Sequence, residues 1–86
     1  MTDEEQILIC AVRYALGRMS YITGFVAGYV AVKRDTLSKE CKNILIRDIR
    51  EEYKFYHRQG HTLGMECDER TWLNLAKLLE GGVEHE

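Results

Sequence analysis

The chain has 86 residues, 45% of them hydrophobic and 30% charged, with a formal net charge of -2 and no proline. That length allows one domain and one core, covering only about 60–65% of the surface an unfolded chain exposes, so a lone copy has a thin stability margin. The apolar content excludes a disordered chain, and the slight acidity speaks against a general nucleic-acid binder, which is normally basic overall.

In chain order, Thr2 reads as an N-cap, and Asp3, Glu4 and Glu5 place negative charge in a first helical turn, where the helix dipole favours it. From Gln6 to Val32 the pattern is apolar nearly all round, which predicts a central segment packed on more than one side. It reads as one long helix or as two, with Gly17 to Ser20 as the joint and Ser20 as the second cap. Residues Lys33 to Leu37 read as a connection. Ser38 then caps a helix from about Lys39 to His57, with Cys41, Leu45, Ile49, Tyr53 and Tyr56 recurring at three- and four-residue spacing. Gly60 is its expected stop. A loop is expected over His61 to Cys67, and then a last helix capped by Asp68 that carries Trp72, Leu75, Ala76, Leu78 and Leu79. Gly81 and Gly82 are expected to end it and to leave 83–86 as a frayed tail. The fold class is all-α: residues 1–86 form a single compact bundle of three or four helices, with the long apolar N-terminal helix or pair central. So much apolar surface on so short a chain also points to a homo-oligomer.

The three cysteines, Cys10, Cys41 and Cys67, are odd in number and lack motif spacing, so they read as buried thiols in a reducing cytoplasm. The acidic opening is unlike a signal peptide. The stretch Met19 to Val32 is shorter than the ~20 residues a membrane span needs. A cytoplasmic protein is expected.

Three patterns are candidates for function. Cys10, Gly17, Gly24 and Ala31 fall seven apart, with Gly28 beside them. Glycine inside a helix costs roughly 1 kcal/mol relative to alanine, so such a row serves close approach of another helix backbone or of a ligand. Second, Tyr14, Arg18 and Tyr21 share a face bordered by Gly17 and Gly24. Two rings flanking a guanidinium fit a nucleotide, with stacking on the base and charge on the phosphate. Arg13, one turn before Gly17, offers a second donor. The plainer reading makes the tyrosines packing anchors and pairs Arg18 with a carboxylate. Third, Arg47, Arg50, Lys54 and Arg58 form a basic stripe opposite the apolar face of the middle helix. Asp48, Glu51 and Glu52 interrupt it, as on an ordinary solvated surface.

His57, His61 and Cys67 lie close in sequence but lack a fourth ligand at a zinc-type spacing, so no metal is expected. Phosphate-loop, nucleophile-elbow and HExxH patterns are missing. Nothing selects a catalytic pair such as Cys67 with His61 or His57 with Asp68, and neither an enzyme nor a cofactor is expected.

The run Arg13-Tyr14-Ala15-Leu16-Gly17-Arg18 with Ser20-Tyr21, then Ile46-Arg47-Asp48-Ile49, then Cys67-Asp68 with Trp72, resembles short bacteriophage and prophage proteins. The resemblance spans about residues 7–79 and implies an accessory protein working inside a bacterial host, with anti-defence action as one role. Together these observations give two expectations. The first is a homo-oligomer that sequesters an anionic nucleotide-type ligand, such as an immune signalling nucleotide, through Arg13, Tyr14, Gly17, Arg18, Tyr21, Arg47 and Arg50. The second is a protein-binding inhibitor or interaction module acting on a host or defence protein. A duplex-DNA regulator is disfavoured by the acidic balance.

Overall fold

The computed structural model describes the backbone of residues 1–18, 22–59 and 63–84, and their side chains other than those of residues 17, 18, 53, 55–59, 63–69 and 82–84. Four helices make up the fold: α1 (Asp3–Arg18), α2 (Ile22–Lys33), α3 (Lys39–Gln59) and α4 (Leu63–Glu84), with a 3-10 turn at Arg34–Thr36 between α2 and α3. Strands do not occur among the described residues. The radius of gyration, 12.4 Å, matches the ~12 Å of a compact chain this long.

The helices pack in a ring, α1 against α2 and α3, and α4 against α2 and α3. Each contributes to the core: Leu8, Val12 and Leu16 from α1, Ala27 and Val30 from α2, Cys41, Leu45 and Ile49 from α3, and Trp72, Leu75 and Leu79 from α4. Cys41, Leu45 and Ile49 of the spacing read on the middle helix form a buried stripe of α3; the side chains of Tyr53 and Tyr56 lie outside the described residues.

Both predicted caps at the start of α1 and α3 form. The Glu5 N–H donates to Thr2 Oγ1 at 3.1 Å, and the Thr2 N–H donates to Glu5 Oε1 at 3.2 Å, a reciprocal capping box. At α3, the Cys41 N–H donates to Ser38 Oγ at 3.1 Å. Glu5 also joins the two caps: its Oε2 accepts the Ser38 N–H at 2.8 Å and its Oε1 the Ser38 hydroxyl at 3.3 Å. The carboxylate is buried. Its pKa is lowered, first by the Ser38 backbone hydrogen bond, against the opposing effect of desolvation, and further by Thr2 and the Ser38 hydroxyl. At the far end of α2, the Arg34 guanidinium donates to the Ala31 carbonyl and the Thr36 hydroxyl to the Lys33 carbonyl, both at 2.8 Å. Two carbonyls of the last α2 turn, those of Ala31 and Lys33, are thereby satisfied as the chain turns.

Of the two alternatives read for the N-terminal half, the structure has the two helices, α1 and α2. Several other expectations are corrected. α1 exposes Gln6, Ile7, Cys10, Arg13 and Tyr14, so it is packed on one side only. The seven-residue row is therefore split between two helices. The last helix starts at Leu63 and contains Gly64 and Asp68, so there is no loop over 63–67 and Asp68 is not its cap. It also runs through Gly81 and Gly82 to Glu84. Glycine lowers helix propensity without forbidding it, and a chain without proline has no absolute stop. Ser20, Gly60 and His61 lie outside the described residues. Cys41 is buried, but Cys10 is exposed. No helix among the described residues is long and apolar enough to cross a membrane.

Thr23 Oγ1 and Trp72 Nε1 are buried without a hydrogen-bond partner. Such a group carries a desolvation penalty of about 1–3 kcal/mol. Thr23→Val keeps the shape and removes that penalty, so urea unfolding should show a gain of about 1 kcal/mol; a loss of that size would mean the hydroxyl is satisfied. Glu5→Gln should lower stability at neutral pH. Because the folded-state pKa of Glu5 is depressed, its contribution is present above the unfolded value and disappears as pH falls through the folded one. The difference between wild type and Glu5→Gln should thus close in acid, and a gap independent of pH would contradict the clamp.

Candidate functional site

The residues expected to meet an anion are largely engaged by carboxylates. Arg13, on α1, donates from Nε to Asp48 Oδ2 at 2.7 Å. Asp48, by that hydrogen bond and then by its charge, holds the Arg13 proton more tightly than usual. Arg47 Nη2 stands 3.7 Å from the other Asp48 oxygen, which is a charge contact rather than a hydrogen bond. Arg50 turns to α4, where its Nη2 lies 2.8 Å from both oxygens of Glu80. Arg13 and Arg50 thus sit in two different helix seams, α1 with α3 and α3 with α4, rather than at one convergent site.

Tyr14 is exposed on the outer face of α1. Gly17 and Arg18 close that helix, but their side-chain environment and Tyr21 lie outside the described residues, as does the side chain of Arg58. The stacking half of the expected nucleotide site is therefore represented by Tyr14 alone.

Clefts among the described residues include three that bear on the expected site. The one beside Arg13 measures about 210 Å³ and is lined also by Leu16, Asp48, Glu51 and Glu52, so carboxylates outnumber the guanidinium. A second, about 220 Å³, runs between α1 and Ile44 of α3. A third, about 160 Å³, lies where the end of α2 meets the start of α1, between Glu4, Glu5, Leu8, Tyr29, Lys33 and Leu37. There the Lys33 ammonium sits over the Tyr29 ring, 5.6 Å from its centroid. Small-molecule sites usually measure about 300–1,000 Å³, and these three fall below that range. No cluster of three potential metal ligands occurs among the described residues.

The most distinctive surface is on α2. Thr23, Ala27 and Val30 point into the core, while Gly24, Phe25, Gly28, Tyr29 and Val32 are exposed. At 100° per residue these five occupy an arc of about 140°. None is charged. Phe25 and Val32 are each 80% exposed, and a Cβ built on Gly24 or Gly28 would meet nothing within 4 Å. The two glycines do not serve close packing within the chain. Ile7 on α1 is also 68% exposed, and its neighbour Leu8 shares a cleft with Tyr29. Sequence reading treated this stretch as apolar on all sides and therefore central. The outward arc is visible on a helical wheel only once Thr23, Ala27 and Val30 are known to mark the inward direction.

Because the space at Gly24 is open, Gly24→Ala should raise the stability of the single chain by about 0.5–1 kcal/mol through helix propensity. Thermal unfolding of dilute protein measures it, and a loss would indicate a neighbour at that position.

No family model, no curated protein and no solved structure matches this chain.

Proposed function

We propose that this chain works by protein–protein contact, as a small helical interaction module whose working surface is the outer layer of α2 with its margin on α1. The observation that carries this reading is the uncharged α2 arc with Phe25 and Val32 each 80% exposed. Single exposed apolar residues are common, but a contiguous apolar face with no charge on it marks a surface that another molecule covers. In the viral setting that the Arg13 to Arg18 run implies, the proteins such a surface meets are a further copy of the chain and a host or defence protein.

The nucleotide-sequestering reading finds less support. A phosphate would have to displace Asp48 from Arg13 and Glu80 from Arg50, and the described clefts are small for a nucleotide.

Two measurements on purified protein separate the readings. In a thermal-shift panel of linear and cyclic nucleotides, including cyclic dinucleotides, the expected result is no shift. A bound partner protein should be lost with Phe25→Lys and kept with Arg47→Gln. A selective nucleotide shift of several degrees that Arg13→Gln abolishes would overturn the proposal, since ligand at a hundred times its dissociation constant stabilises by ~2.7 kcal/mol.

A further inference from the structure

We propose that the occupant of the α2 face is a second copy of this chain, docked as an antiparallel, two-fold α2–α2 pair; this rests on the interaction-module reading and specifies its first partner. Three observations point to it. The first is shape. Phe25 and Val32 project from the same arc on which Gly24 and Gly28 leave open space, so one face carries both knobs and gaps. A two-fold contact needs such a self-complementary patch. With the axis between Gly28 and Tyr29, Phe25 of one copy lies against Val32 of the other, and the Tyr29 ring covers Gly28 of the other. Only glycine at that point lets a ring approach the helix backbone so closely.

Charge sets the orientation. The only charged residue of α2 is Lys33, at its last position, followed at once by Arg34. A parallel pair would bring two Lys33–Arg34 ends together. An antiparallel pair puts them at opposite ends and also aligns the helix dipoles favourably. A lipid surface fits less well, because the protein carries a net charge of -2 and α2 lacks the basic polar face of membrane-surface helices.

The area suits a weak pair. An aromatic side chain offers roughly 150–250 Å². Scaled by their exposure, Phe25, Tyr29 and Val32 present on the order of 400 Å², or about 800 Å² across a two-fold pair, the size of a weak, transient contact. The pair is therefore expected to be reversible and concentration-dependent.

The experiment is sedimentation velocity of the full chain from about 1 to 100 µM, the range in which an interface this small is expected to dissociate, with circular dichroism to verify folding. The wild type, 10.0 kDa as a single chain, should pass from monomer to dimer within that range. Phe25→Lys and Val32→Glu, both at exposed positions, should each stay folded and weaken the dimer at least tenfold. The double variant Phe25→Lys/Val32→Glu should regain dimerisation, because the antiparallel register sets the introduced lysine against the introduced glutamate twice. In a parallel register like charges would meet, so failure of the rescue overturns the antiparallel pair. A wild type that remains monomeric throughout, or single variants that dimerise normally, overturns the dimer altogether. If the wild type is monomeric yet binds a different protein through Phe25, the dimer falls and the interaction-module reading stands. If neither association occurs and nucleotides shift the melting temperature, both fall.

Discussion

The arrangement of the bundle depends on one carboxylate. Glu5 completes the cap of its own helix and accepts both the backbone N–H and the hydroxyl of Ser38, the residue that caps α3. Two helix N-termini, each with unsatisfied donors and a positive dipole end, are thus brought to the same anion. That contact aligns α1 and α3 in parallel from a common end. Farther along, Arg13 meets Asp48 across the same seam. α2 returns beside α1, so its last turn faces the first turn of α1 across the Tyr29–Lys33 cleft. α4 then closes the ring against α2 and α3. Cys41 lies directly beneath the clamp; desolvation, reinforced by Glu5 and Glu40, raises its pKa and keeps the thiol protonated.

The outer surface divides by chemistry. The seams flanking α3 carry opposite charges that neutralise one another locally, as Arg13 with Asp48 and Arg50 with Glu80. These contacts are largely solvated, and their value lies in specificity more than in stability. The outer arc of α2 from Gly24 to Val32 carries no charged residue, Lys33 reaching only its Tyr29 edge, and Phe25 and Val32 face solvent. Arg13 and Arg50 are satisfied by carboxylates where they stand, whereas the apolar arc has no cover from its own chain.

Much of the fold was legible where local chemistry decides it. Thr2 and Ser38 as caps, the α3 stripe of Cys41, Leu45 and Ile49, and the turn after Lys33 all follow from contacts within a few residues. The misplaced boundaries fall where the signals were glycine and aspartate. Gly64, Asp68, Gly81 and Gly82 lie inside α4 because their helix penalties are modest. The site was less legible. Arg13 and Arg50 find partners 35 and 30 residues away, which spacing along one helix does not reveal. The α2 arc was misread as interior for a related reason: apolarity marks a surface that avoids water but does not say whether its own chain supplies the cover.

The two roles of Glu5 differ in range, three residues to Thr2 and 33 to Ser38, and that difference bears on how the second contact depends on the first. The capping box closes over three residues, at a smaller chain-entropy cost than the contact over 33. Wherever the box is formed, Ser38 meets an acceptor already fixed in place, and the distant contact requires ordering only on the α3 side. A residue that reads as a helix signal in the first turn therefore also serves as a docking template, linking a local signal to the register of the finished bundle.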